Sequence, residues 1–407
     1  MSGQEVSTEP VEVVPLRRNR DFQLLWIGQA ASSLGTQVAT VAFPLLVLAV
    51  TGSAAQAGLV GFALTLPLFA FSLPAGALVD RWNRRRVMLI SDGVRAIALG
   101  TVVLAVATKQ VTISHLVVVA FLVGTFAVFF DLADTAALRF LVPTPQVSSA
   151  VAQVQARENA AWLVGGPLGG FLFGVARFVP FLFDAISYLI GVVTTLAIRR
   201  QFQAERTEPP GNVLAEMWQG LRWVWREPYL RMVAVVAAAA NGVTQAMVLI
   251  MIFVAEGAGA SPTQIGLMLA CAGLGGLAGA LASPLVLRVI PPTVIVVGLN
   301  WLWVLLLPVI IFVRNPFVLG GLAAVLAFGY PAWNSITVAK RLRIIPEEML
   351  GRAQSVHRLL GASTVPLGAL LSGLLYENFG VVVSVIAFAA VMLVVAISAS
   401  LSRALRG

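Results

Sequence analysis

The chain has a single cysteine, Cys271, among 407 residues, so it can form no internal disulfide and no cysteine-based zinc framework. Its two histidines, His115 and His357, stand far apart, and no Gly-rich phosphate loop ending in Lys occurs. These absences argue against a metal site, a cofactor-binding fold and enzymatic chemistry. Charge is scarce as well: 11% of residues are Asp, Glu, Lys or Arg, against about 25% in a soluble domain. What fills the space is apolar, with 59% hydrophobic residues and a mean hydropathy of +0.91. A soluble globule has nowhere to hide that much apolar surface.

The apolar residues come in runs long enough to cross about 30 Å of hydrocarbon at about 1.5 Å per helical residue. Runs lie near 22–50, 54–79, 87–107, 115–132, 149–176 and 178–198; after a polar stretch at 199–227, others lie near 230–255, 264–287, 293–313, 317–339, 352–376 and 381–401. The expected fold is an all-α membrane protein with twelve transmembrane helices.

The net charge of +9 does not point to nucleic acid, because the basic residues sit in short clusters between the apolar runs and form no stripe or tail. They follow the positive-inside rule. With both termini cytoplasmic, all 27 Lys and Arg fall on the inner side except Lys109, Arg177 and Arg314 on the outer side and Arg95 within span three. Residues 1–20 carry Glu5, Glu9 and Glu12, then Arg17, Arg18 and Arg20, with no central apolar stretch, and are expected to be a cytoplasmic tail and not a signal peptide.

The two halves repeat. Ser53, Gln56, Gly58 and Leu59 match Ser261, Gln264, Gly266 and Leu267 at an offset of 208; LRFLVP ending at Pro143 echoes LRIIP ending at Pro346, and Pro167 with Gly169 echoes Pro366 with Gly368. Parallel six-helix repeats with a site between them near the midplane are a transporter arrangement. The expected domains are a tail at 1–20, a six-helix bundle at 21–199, a linker at 200–228 with an amphipathic stretch bearing Trp218, Leu221, Trp223 and Trp225, and a second bundle at 229–407.

Between spans two and three the sequence reads GALVDRWNRRRV. It resembles the signature of the major facilitator superfamily, matching at Gly76, Leu78, Asp80, Arg81, Arg84 and Arg85. Asn83 stands where the family has Gly, as the next best residue for a left-handed turn. Gly76 would let a neighbouring helix approach closely. Asp80, alone among four arginines, would be drawn to Arg84 or Arg85 and to a helix N-terminus; the alternative is that the arginines merely fix topology. The resemblance implies the major facilitator fold and a gating latch, with Asp80 holding the outward-facing state against span eleven near Gly351 and Arg352. DFQLLWIGQAASSLG, PLLVLAVTGS and LVPTPQ resemble, further, the drug-exporter branch that includes macrolide and siderophore exporters, over essentially the whole chain. Three features depart from that branch: Thr36 and Gln37 follow Gly35 where an acid is common, Gly166, Pro167, Leu168, Gly169 and Gly170 form a shortened antiporter motif, and span four has no Arg at its middle.

Ionisable residues within spans are costly, about 2.5–3.5 kcal/mol at the centre, and so are functional candidates. Glu158, roughly 14 Å along span five, is the first candidate for proton coupling, with Arg157 expected to point away from it; the alternative is a structural ion pair with another helix. Asp92 and Asp131 follow as coupling candidates, although Asp92 with Arg95, three apart on span three, also suits an internal pair, and Asp131 and Asp134 also suit gating or topology. Asp184 is expected to be structural. Candidate substrate-lining residues are Gln29, Ser33 and Gln37 on span one, Phe126 and Phe130 on span four, Asn159 and Trp162 on span five, Asn241 and Gln245 on span seven, and Tyr330, Trp333 and Asn334 on span ten; ordinary helix packing is the alternative for any single aromatic. Together they suit a lipophilic or amphipathic solute.

The expected function is export of small lipophilic compounds by proton antiport with alternating access, from a monomer in a bacterial plasma membrane. The partners are a small-molecule substrate, protons and membrane lipid, with no nucleic acid, metal or cofactor. A lipid or siderophore exporter, an uncoupled facilitator and a non-transporting receptor are the alternatives.

Overall fold

The structure, a computed structural model, describes residues 15–79, 81–202 and 213–402. Among these, every regular element is helical. The first six long helices are α1 Arg20–Thr51, α2 Ala54–Val79, α3 Arg84–Ala107, α4 Ile113–Leu141, α5 Val147–Val175 and α6 Val179–Ala197. After the amphipathic α7, Val213–Arg226, come α8 Pro228–Gly257, α9 Pro262–Val289, α10 Pro292–Leu306, α11 Pro316–Phe328, α12 Tyr330–Ile344, α13 Glu347–Ala362 and α14 Val365–Leu401.

Among the described residues, ten segments are long and apolar enough to cross a membrane. One of them, Met349–Leu401, has 53 residues, roughly twice what a bilayer needs, and it doubles back at Gly380, whose φ of 76° is left-handed. That turn separates two crossings. α5 adds another: at 29 residues it is long enough to span, and its inner half carries Arg157 and Glu158. α11 and α12 meet at Gly329 and make one crossing between them. Twelve crossings result, as the apolar runs predict.

The ends of these helices are set by local chemistry. Asn19, Asn83, Thr112, Ser261 and Asn315 cap α1, α3, α4, α9 and α11 through side-chain oxygens that accept backbone N–H groups. Asn83 does so with φ −68° and ψ 109°. It is a helix cap in extended conformation and not the left-handed turn expected from its place in the motif.

Within the first six helices α1 packs on α6 and α5, α2 on α4, and α3 on α6 and α4; in the rest, α8 packs on α14 and α11 on α9. Among the described residues two main crossings join the halves, α2 with α14 and α5 with α9, with smaller contacts of α2 with α13 and of α1 with α8. Glycine makes both possible. A side chain on Gly58 would run into the backbone of Ala369 and Gly373, and one on Gly266 would run into Gly166 and Gly170. Gly58 and Gly266 are the repeated glycines of the sequence, so each copy of the repeat lays its second helix across the glycine-bearing fifth helix of the other. The Gly165–Gly170 stretch, which holds the shortened antiporter motif, is continuous helix with glycines packed on two sides: Gly165 and Gly169 against Gln37 and Val38 of α1, Gly166 and Gly170 against α9.

α7 lies against α13 and α8. Gly220 meets the backbone of Arg352, Val224 is buried, and Trp218 and Trp225 are exposed.

Candidate functional site

The crossings just described join α5 and α9 through Gly166, Gly170, Pro262 and Gly266, away from the ends that carry the arginine clusters. Toward those ends α5 exposes Gln155, Glu158 and Asn159, and α9 exposes Leu281 and Leu285. The α5–α9 contact therefore lies toward the face opposite the arginine loops, and the arginine-side part of α5 is exposed.

On the arginine side α4 and α5 carry Asp131, Asp134, Arg157 and Glu158. Arg157 Nη2 lies 3.8 Å from Glu158 Oε1, with the arginine side chain buried and the glutamate 52% exposed. The expectation of a lone desolvated Glu158 with Arg157 turned away is corrected here: the guanidinium reaches round to its neighbour. Asp131 interacts electrostatically with Arg95, Arg157 and Glu158 of its own half and with Arg358 of α13. Asp134 interacts with Arg157, Asp131 and Glu158. Arg358 brings the second half into this group. In the sequence it counts only as one of the topology charges, and the usable signal is the excess of carboxylates over cations on α4 and α5.

Asp92 belongs to a second group, inside the first half. Arg95 Nη1 lies 3.5 Å from Asp92 Oδ1, so the predicted internal pair forms. Arg95 Nη2 donates to Tyr188 Oη and, at 3.2 Å, to Thr36 Oγ1, and the guanidinium sits 3.9 Å from the centre of the Tyr188 ring. Thr36 and Tyr188 share a 2.9 Å hydrogen bond. Asp184, fully buried, accepts from Ser187 at 3.2 Å. Neither Asp92 oxygen nor Asp184 Oδ2 has a hydrogen-bond partner in the structure. Within this group two carboxylates, Asp92 and Asp184, thus stand against one guanidinium, that of Arg95. Gly191 and Gly35 make room for them, since a side chain at Gly191 would strike Asp92 and one at Gly35 would strike Asp184. Tyr188 and Thr36 were not legible as members of this group, because their partner Arg95 stands 93 and 59 residues away.

Asp80 of the loop motif lies outside the described residues. Around it, Arg84 Nη1 donates to Phe202 O at 3.3 Å and its guanidinium stands 5.3 Å from the Phe140 ring, while Arg85 Nη2 donates to Leu196 O at 2.6 Å. Both fasten the start of α3 within the first half. Arg81 is exposed. Arg352 Nη1 donates to Gln219 Oε1 of α7 at 3.0 Å. A side chain at Gly76 would meet open space; the close helix approach expected there is absent in this arrangement of the halves.

The expected substrate-lining residues divide. Asn159 and Asn334 are exposed, and Ser33, Gln37, Phe126 and Gln245 are half-buried. Trp162 is 48% exposed with its ring against Gly273 of α9, and Tyr330 stacks on Trp333 at 6.4 Å. Three do other work. Phe130 is in the core of the first half, 6.0 Å from the Arg95 guanidinium; Gln29 is buried; Asn241 donates to Gly361 O at 2.9 Å, tying α8 to α13. Which way each of these three turns depends on helix rotation, which the sequence leaves open.

The chain is 29% identical over 395 residues to the multidrug efflux pump Tap of Mycolicibacterium fortuitum, covering 92% of this chain and 94% of that one. It is 23% identical over 372 residues to macrolide efflux protein A of Streptococcus pyogenes, covering 88% and 90%. Among solved structures it resembles a bacterial homologue of the lysosomal transporter Spinster, in an inward-facing and unoccupied conformation, with a TM-score of 0.73, 15% identity and coverage of 96% and 98%. That likeness shows the shared fold. The family model described as a transmembrane secretion effector matches residues 11–406. With twelve crossings, two glycine-lined contacts between repeats and a match over nearly its whole length, the chain belongs to the MFS_3 family of major facilitator transporters.

Proposed function

We propose that the protein exports small lipophilic or amphipathic compounds by alternating access, driven by proton antiport. The observation that carries this reading is the Arg157–Glu158 pair on the exposed arginine-side part of α5, beside Asp131, which feels both Arg157 and, from the second half, Arg358. When rocking closes that side, the carboxylates must change partners or take up a proton, because an unpaired charge shut away from water costs several kcal/mol. The efflux activities named for the mycobacterial and streptococcal relatives support the direction of transport. Residues 21–199 and 229–407 are the two rocking bodies, 1–20 is a tail and 200–228 the tether. The arginine-rich side faces the cytoplasm of a bacterial cell, both termini with it, and the protein works as a monomer in its lipid.

Substrate would pass along Ser33, Gln37, Phe126, Asn159, Trp162, Gln245, Tyr330, Trp333 and Asn334, a wall of aromatic and neutral polar groups suited to apolar solutes. Glu158 is the leading coupling residue; Asp131, beside it, and Asp92, in the buried network, are its competitors. The deciding experiment uses purified protein in liposomes with an imposed pH gradient and a panel of lipophilic cations and macrolides. Accumulation that collapses when the gradient is dissipated supports antiport; accumulation unaffected by dissipation makes the protein a facilitator or couples it to something else.

A further inference from the structure

The repeated Ser-x-x-Gln motifs do different things in the two halves. In the second copy the motif closes on itself: Ser261 N donates to Gln264 Oε1 at 2.8 Å, and Gln264 N donates to Ser261 Oγ at 3.3 Å. This capping box satisfies the start of α9 locally. In the first copy only half of the box forms. Gln56 N donates to Ser53 Oγ at 3.2 Å, but Ser53 N turns to Thr51 Oγ1 at 3.1 Å, and Gln56 Oε1 is buried without a partner.

A carboxylate from the other half occupies the place left open. Glu377 Oε2 accepts from Ser53 Oγ at 2.5 Å and from Ala55 N at 2.7 Å. A carboxylate on a helix N-terminus meets both free donors and the positive end of the helix dipole. The contact joins residues 324 apart. It sits one step beyond the crossing of Gly58 with Gly373, three residues before the turn at Gly380. At the symmetry-related crossing, where Gly170 stands in the place of Gly373, the residue equivalent to Glu377 is Gly174, which has no carboxylate to offer. Only one of the two crossings carries this bond.

We infer that Glu377 and Ser53 form a gating pair that holds the halves together on the face opposite the arginine loops, and that the pair must part each time that face opens. The inference rests on the alternating-access reading above and adds to it the residues that close the outer side. Its chemistry is independent of the coupling site. Glu377 lies just past the apolar run 352–376, in the last helical turn before Gly380, and the hydrogen bonds from Ser53 and Ala55 hold its carboxyl below the ordinary glutamate range. The closed contact therefore favours the charged form: the bond is present at neutral pH and is lost as pH falls below that range. The other titratable groups of this rim, Lys109, His115, Arg177, Glu256, Arg314 and Tyr376, are not among the groups that act on the Glu377 carboxyl. The pair is a lock at physiological pH and not a sensor of it.

Spin labels at Gln110→Cys and Phe317→Cys in a Cys271→Ser background would report the separation of the two halves at this rim in purified, reconstituted full-length protein. Glu377→Ala should enlarge the long-distance population at least about fivefold, the lower end of ordinary coupling factors, and Ser53→Ala should do so to a smaller extent. Gln264→Ala, which weakens the local cap of the second copy, should leave the distribution unchanged. Glu377→Gln serves if the alanine variant folds poorly, and should shift the distribution in the same direction by less. A distribution identical in wild type and the Glu377 variants, or one shifted equally by Gln264→Ala, would overturn the lock. The readout needs no substrate, so failure of export alone bears on the efflux proposal and leaves this result standing.

Discussion

Arg95 is the residue on which the interior of the first half turns. It pairs with Asp92 of α3, hydrogen-bonds Tyr188 of α6 and Thr36 of α1, and lies over the Tyr188 ring, so it ties three spans together. Removing one partner of a buried pair leaves the other uncompensated, a loss of about 3–5 kcal/mol. Arg95→Ala is expected to reduce thermal stability sharply in detergent, whereas Arg95→Ala with Asp92→Asn should recover part of the loss; a single variant as stable as wild type would show that the network carries no weight. Glu158 invites a different experiment because it is half exposed and its partner Arg157 lies next to it. Glu158→Gln should abolish uptake driven by a pH gradient into inverted vesicles while preserving substrate binding and counterflow. If it still concentrates substrate, Asp131→Asn and Asp92→Asn are the next variants to assay.

At the scale of elements, the glycines of the two crossings decide how closely the halves approach. Gly266 has Gly166 and Gly170 against it, and Gly58 has Ala369 and Gly373. A methyl or larger group at either position forces backbones apart, at about 1–3 kcal/mol for overpacking. Gly266→Val and Gly58→Val should therefore bias the protein toward the state open on that face, seen as faster modification of cysteines placed on the α5 and α9 contact; rates equal to wild type would show that the crossing gives way without cost. Both glycines were legible as a repeat, because Ser, Gln, Gly and Leu recur at one offset. Their partners were not, since no local pattern tells which helix of the other half lies opposite. The same limit explains the site. Charges stand out against an apolar background, so Asp92, Asp131 and Glu158 were legible as candidates, whereas the buried places of Phe130 and Gln29 depend on a helix rotation that sequence spacing leaves unspecified. The cap at Asn83 was misjudged because Asn serves both a left-handed turn and a helix start, and only the backbone distinguishes the two.

For the whole molecule, topology and conformational balance are the testable properties. A cysteine at Lys109, in a Cys271→Ser background, should react with an impermeant reagent in intact cells, and one at Thr207 should not; the reverse pattern would invert the orientation. Asp80→Asn should shift the balance toward the inward-facing state by about 5-fold to 150-fold if the loop motif acts as a latch of ordinary strength, about 1–3 kcal/mol. Distance measurements across the arginine-rich side read this directly, and an unchanged distribution with normal export would leave Asp80 with a purely topological role. If both act, Asp80 and Glu377 oppose one another, each favouring the state the other disfavours.

α7 extends these relations beyond the protein. Its Gly220 rests on the backbone of Arg352, Val224 is buried, and Trp218 and Trp225 are exposed, 63% and 49%. Exposed tryptophans on an amphipathic helix settle at the depth of the lipid headgroups. When α13 moves with its half, α7 is carried with it, and those rings must be dragged against the headgroup layer. Bilayer thickness and lateral pressure then enter the turnover rate directly, so the same protein should run at different speeds in short-chain and long-chain lipids, and Trp218→Ala with Trp225→Ala should flatten that difference.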